Sequence, residues 1–154
     1  MPIAEEIENT QKYIEIQQMR FDYSFSVDWH LGESVRKVKC IKFLLQPILE
    51  NSISHGLFDK PNGKIIIDIE QKENRMFVAV TDNGHGFAEE RLLEIRGRLT
   101  TENSPVESIG LYNLNKRLIL TYGEASAIFI DSLPEEKTTV YFSIPLSQPG
   151  LQDI

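Results

Sequence analysis

VAVTDNGHGFAEERL, residues 78–92, is the stretch on which the fold turns. A strand-like run stops at Asp82, passes Gly84 and Gly86, and enters a charged, helix-like run. Taken alone, DNGHG reads as a turn, because Asp, Asn and Gly combinations are common turn formers. Its neighbours add a second reading. MFVAV before it has the pattern of a buried strand, so Asp82 stands at a strand exit with its carboxylate free to point into a cleft. A carboxylate there accepts a hydrogen bond from an exocyclic amine such as that of adenine. Gly84 and Gly86 carry no Cβ, so a flat ring could lie against the backbone.

Outward from this stretch, hairpins and helices alternate. IAEEIENTQKYIEIQQMRF (3–21) has helical spacing, and FDYSFSV (21–27) alternates as a half-buried strand. Residues 28–40 read as a connection, and CIKFLLQPILENSISHGL (40–57) as a helix in which Pro47 either falls in the first turn or makes a kink. DKPNG (59–63) is a loop. KIIIDIEQ and RMFVAVTD form two strands, and FAEERLLEIRGRL a short helix. TTENSPVES (100–108) is a polar loop, GLYNLNKRLILTYG (110–123) a helix, and ASAIFIDS and KTTVYFSIP two closing strands. The expected class is α+β, with a mixed, largely antiparallel sheet covered on one face by helices.

The 154 residues suit one domain, with 41% hydrophobic and 25% charged residues. A net charge of −7 argues against nucleic acid as a general partner. It leaves room for a polyphosphate whose charge is offset by a metal ion, helix N-termini or a few placed cations. Cys40 is the only cysteine, so no disulfide framework is available and a reducing, cytosolic setting is the simple reading. No run is apolar enough to span a bilayer.

Two further segments carry chemistry. In LLQPILENSISHG, placing Ile48, Ile53 and Leu57 toward the core leaves Glu50, Asn51, Ser54 and His55 along a flank. That flank is either simply solvated or offers the Asn51 carbonyl oxygen to Mg²⁺, which takes few protein ligands when phosphates supply the rest. In ESIGLYNLNKRL, Gly110 stands between the polar loop and a helix, either as a plain helix start or as an anion site of free backbone N–H groups, with Lys116 and Arg117 following on the same helix.

In that order, ENSISHG, DNGHGF and IGLYNLNKRL resemble the N box and two glycine boxes of the GHKL ATPases, the group of gyrase, Hsp90-type chaperones and histidine kinases. YIEIQQMRF, TYG and TTVYFSIP extend the likeness toward the catalytic ATP-binding domain of LytS/YesM-type sensor histidine kinases, over about Glu5 to Pro145. The resemblance implies a Bergerat-type two-layer sandwich with an ATP lid loop. By that resemblance Asn51 would bind Mg²⁺ and Asp82 the adenine amine. Gly84 and Gly86 would line the base pocket, and Gly110 and Leu111 would meet the phosphates. His55 would sit beside the nucleotide, and Thr138 near the adenine. Residues 1–20 would be a helix leading from an acceptor domain, 21–146 the catalytic domain and 147–154 a tail. That first helix would either pack on the domain or present a stripe for a homodimer.

The sequence also departs from the family. Ser108 and Lys137 stand where glycines are frequent, and Pro47 where hydrolysing members carry a water-activating Glu. No PHFLFN-like acceptor motif is present, so no catalytic His is expected in this chain. The implied partners are ATP, the acceptor and dimerisation domain of the same kinase and, downstream, a response regulator. The implied location is the cytoplasmic portion of a membrane-anchored sensor. Another GHKL ATPase, an anti-sigma-type serine kinase and a degenerate nucleotide-binding module remain as alternatives.

Overall fold

The computed structural model describes residues 1–22, 24–57, 60–99 and 109–146, without the side chains of residues 55, 56 and 109. Five strands form one sheet in the order β1-β2-β3-β5-β4. They are β1 (Phe25–Leu31), β2 (Gly63–Lys72), β3 (Arg75–Asp82), β4 (Phe129–Leu133) and β5 (Lys137–Pro145). β1 pairs with β2 in parallel, and every other pair is antiparallel. The sheet is therefore mixed and largely antiparallel, as the alternating patterns suggest.

Period-2 alternation divides the sheet into two faces. Ile65, Ile67 and Ile69 of β2 are buried, as are Met76, Val78 and Val80 of β3 and Val140, Phe142 and Ile144 of β5. This face meets four helices: α1 (Ile3–Arg20), α2 (Gln46–Asn51), α3 (Glu89–Arg98) and α4 (Ile109–Tyr122). Leu111, Leu114 and Leu118 give α4 its buried stripe, and Ile3, Ile7 and Ile14 do the same for α1. The α1 stripe thus packs into the core, although Ile16 and Met19 at its C-terminal end stay exposed. On the other face Phe129 stacks on Tyr141, and both Phe77 and Phe129 are open to solvent.

Three element boundaries differ from the sequence reading. α1 ends at Arg20, where Phe21 N–H closes the last turn on the Gln17 carbonyl; the strand therefore starts at Phe25 and continues through Trp29 to Leu31. His30, expected in a connection, lies on this strand with Nδ1 3.0 Å from Asp68. The expected helix over 40–57 shrinks to α2, with Pro47 in its first turn, followed by a wide π turn at Ser52–Gly56. Residues ahead of α2 are irregular, and Phe43 takes a left-handed φ of 57°. β4 begins at Phe129, because Glu124–Ser126 form a 3₁₀ turn and buried Ser126 Oγ accepts from Arg75. The expected lid loop with Ser108 and the tail at 147–154 lie outside the described residues.

Candidate functional site

Asp82 closes the inward row Met76, Val78, Val80 of β3, so the alternation that buries those side chains also turns its carboxylate toward the helices. β3 is the central strand, and Asp82 lies between Ile65 of β2 and Thr138 of β5. Asp82 is 2% exposed. Its Oδ1 accepts the Gly84 N–H at 2.9 Å. Burial pushes its pKa up to about 6, against the opposing pull of the Gly84 amide, the nearby Ser52 hydroxyl and the Lys60 charge. A carboxylate kept this dry persists where a ligand donor meets it.

The DNGHG segment is tethered at each end. Asn83 Oδ1 accepts from Lys64 N–H at 2.7 Å, and Asn83 Nδ2 donates to the Asn62 carbonyl at 3.2 Å. Lys60 Nζ donates to the Gly84 carbonyl at 3.1 Å. Phe87 N–H donates to Ser132 Oγ at 2.7 Å, and that hydroxyl is 2.9 Å from Thr138 Oγ1. Thr138 is buried in the inward row of β5 beside Asp82. Gly86 has a φ of +65°, and a Cβ there would sit 2.2 Å from the Leu133 carbonyl oxygen. The missing side chain of Gly86 thus admits the β4–β5 turn, which is a sufficient reason for glycine without any ring against the backbone. Gly84 is buried next to Asp82.

The opposite wall is the segment 41–57. Its start hangs from two helices. Glu6 of α1, 3% exposed, accepts the Phe43 N–H through Oε2 and the Leu45 N–H through Oε1, each at 3.1 Å. From α4, Arg117 donates to the Lys42 and Phe43 carbonyls, and Tyr122 Oη accepts the Ile41 N–H at 3.1 Å. Arg117, read from the sequence as a cation following the anion site, therefore serves as a strut to 42–43. At the far end the Leu57 N–H bonds to the Ser52 carbonyl at 2.9 Å, which opens the π turn. Such wide turns re-aim side chains and gather at functional sites.

This turn brings the first two boxes together. Ser52, 1% exposed, faces Asp82, and half-exposed Asn51 precedes it at the end of α2. Glu50 is exposed and accepts from Gln46 Nε2 at 3.2 Å. The backbone of His55 lies on the π turn, and its side chain is outside the described atoms. The third box starts α4. A Cβ on Gly110 would lie 3.8 Å from Pro47 Cβ, which sets the first turns of α4 and α2 side by side. The Leu111 side chain is in the core, so only its backbone is available to a phosphate. His85 lies near Glu135, with Nδ1 3.5 Å from Oε2.

The sequence reading passed over Ser52, Lys60, Ser132 and Glu6. Ser52 had a usable signal, since it lies four residues after Ile48 on the buried phase of the helix, where a polar residue needs a reason. Among the described residues no group of three or more His, Cys, Asp and Glu side chains could hold a metal ion. A magnesium site here would consist of Asn51 and the oxygens of a bound triphosphate, and a half-exposed amide fits that modest role. Buried Asp82 fits a purine amine.

Over residues 37–148 the chain matches the family described as histidine kinase-, DNA gyrase B-, and HSP90-like ATPase. It is 36% identical over 148 residues to a sensor protein LytS of Oceanobacillus iheyensis, covering 94% of this chain and 25% of that protein. It is 31% identical over 146 residues to a sensor protein kinase HptS of Staphylococcus aureus, covering 95% of this chain and 28% of that one. The chain thus spans about a quarter of the length of these relatives. In fold it is similar to the catalytic domain of histidine kinase ThkA, with a TM-score of 0.71, 18% identity, and 95% and 94% of the two chains covered. A structure of ThkA in complex with response regulator protein TrrA gives a TM-score of 0.69 at 18% identity, over 96% of this chain and 41% of that one.

Proposed function

Because the chain belongs to the family of histidine kinase-, DNA gyrase B- and HSP90-like ATPases, we propose that it is the ATP-binding catalytic domain of a sensor histidine kinase. It holds MgATP and presents the γ-phosphate to a His on a separate acceptor and dimerisation domain. The observation that carries this reading is the meeting of buried Asp82 with buried Ser52, the residue that follows Asn51 in the chain. Asp82 accepts the adenine amine, with Gly84 and Thr138 closing the base pocket. Asn51 ligates the metal, which offsets charge on the triphosphate. The α4 start at Gly110 and Leu111 offers backbone N–H groups to the phosphates. His55 and Gly86 complete the surroundings of the nucleotide.

Phosphoryl transfer asks the protein mainly for positioning and charge compensation. Transfer is favoured over hydrolysis by the α2 geometry. Pro47 occupies the first turn, and the carboxylate of Glu50, next to Asn51, is turned to Gln46 at the exposed surface. Residues 1–20 would lead from the acceptor domain, 21–146 form the catalytic domain, and 147–154 a tail. A response regulator would take the phosphoryl group from the acceptor His, and the parent would be a membrane-anchored sensor with this part in the cytoplasm. Among the described residues no helix is long and apolar enough to cross a membrane.

Calorimetric titration with ATP, with and without Mg²⁺, tests the site. Asn51→Ala should lose about tenfold in affinity with Mg²⁺ present and little without it, as expected for removal of one of few protein ligands. Equal losses in both conditions would remove Asn51 from the metal site. Labelling of an added acceptor domain from γ-labelled ATP tests the transfer.

A further inference from the structure

We propose that Ser52 is a second reader of the nucleotide base, its hydroxyl donating to the ring nitrogen next to the amine that Asp82 accepts. This rests on the ATP-site reading above. Ser52 Oγ is fully buried and has no hydrogen-bond partner, the one such side-chain atom found among the described residues. A helical serine or threonine ordinarily returns its hydroxyl to the carbonyl four residues back. Thr10 of α1 does this, donating to the Glu6 carbonyl at 2.7 Å while equally buried. Ser52 does not. The π turn that starts at Ser52 brings its hydroxyl to Asp82 instead, near enough to favour the charged carboxylate but outside the geometry of a full hydrogen bond. Buried hydroxyls in native proteins are paired, so an orphan beside a binding carboxylate marks a place for a ligand atom or an ordered water.

The chemistry selects the atom. Adenine shows a donor, the 6-amine, beside an acceptor, the ring nitrogen N1. Asp82 as a carboxylate only accepts, so it takes the amine. The neighbouring acceptor requires a donor, and the Ser52 hydroxyl is the one at hand, directly or through one water. Guanine carries the reversed pair, an acceptor oxygen beside an N–H; its oxygen meets the acceptor-only Asp82 carboxylate, whereas the Ser52 hydroxyl can turn to accept the N–H. Rejection of guanine therefore falls on Asp82, whose buried carboxylate would be left facing an acceptor.

The test compares ATP with 1-deaza-ATP, in which the ring nitrogen is a C–H, on wild type, Ser52→Ala and Asp82→Asn. Ser52→Ala should weaken ATP about 5–10-fold, the worth of one hydrogen bond, and leave 1-deaza-ATP unchanged. In the free protein its Tm should be equal or higher, since an orphan hydroxyl is removed. Equal weakening of both nucleotides, no weakening of ATP, or a lower Tm would each overturn the assignment. A wild type that binds no ATP, or an Asp82→Asn variant that binds it undiminished, overturns the ATP-site reading itself. Loss of ATP in Asp82→Asn with no effect in Ser52→Ala overturns the role of Ser52 alone.

Discussion

The two walls that meet at Asp82 and Ser52 are built differently. The strand wall, from β3 through DNGHG to the β4–β5 turn, is regular backbone whose loop is bonded at both ends. The helical wall, residues 41–57, has only six residues of α-helix, with irregular backbone and a left-handed Phe43 before them and a π turn after. Its shape is imposed from outside by Glu6, Arg117 and Tyr122. One wall is held by its own ladder and the other by its neighbours. A substitution in the first should act locally and strongly. In the second, distant residues should matter as much as the ones that touch a ligand.

The largest effect should come from Gly86→Ala. The added Cβ would lie 2.2 Å from the Leu133 carbonyl oxygen at a φ of +65°. Overpacking against backbone together with left-handed strain should lower stability by roughly 3 kcal/mol or more. Chemical denaturation measures it. A loss below about 1 kcal/mol would mean that the strand wall yields, and the contrast between the walls would fail.

Asp82→Asn should separate binding from stability. ATP affinity should fall by about 100-fold, since the proposed charge-assisted bond to the amine would be replaced by an amide that can also face it with N–H groups. The free protein should gain. The carboxyl, raised to about 6 by burial, is most favourable to folding when protonated. That contribution is fully present below the ordinary Asp value and is lost as pH rises through about 6. The Asn variant should therefore match wild type near pH 4 and exceed it above pH 6, by about 1–3 kcal/mol. Melting both proteins from pH 4 to 7 shows the difference, and parallel curves would mean that Asp82 is solvated.

The strand wall was legible because its information is local. KTTVYFSIP alternates in sequence, and β5 is Lys137–Pro145. Asp82 at a strand exit followed from the same period. The helical wall was not legible, because CIKFLLQPILEN is apolar at almost every phase and offers no period to contradict a helix. A left-handed Phe has no local signature, and a π turn is set by what packs around it. β1 was displaced for a related reason. Phe21 continues the Phe25–Val27 alternation yet is held by the Gln17 carbonyl at the helix end. Its parallel pairing with β2 is a long-range fact with no local mark.

The smallest predicted effect bears on the contrast most directly. Glu6 lies on α1, and what it touches is the backbone amides of Phe43 and Leu45, the latter at the start of the helix that ends in Asn51. Glu6→Gln keeps the shape but leaves one of the two amides, of Phe43 or of buried Leu45, facing an N–H₂ group. The expected cost is about 1–2 kcal/mol in stability. If Glu6 only ties α1 down, Tm falls and nucleotide affinity stays as it was. If the bracket positions the helical wall, affinity for MgATP also falls, by about 2–5-fold, while binding without Mg²⁺ is spared, because the displaced group is Asn51, the proposed metal ligand, rather than the proposed base pocket. Arg117→Lys, which loses the fork that reaches both the Lys42 and Phe43 carbonyls, should then reproduce the same split from the opposite side of the segment. Two residues on different helices, giving one signature at a proposed metal site that neither touches, is the result that only an externally held wall produces.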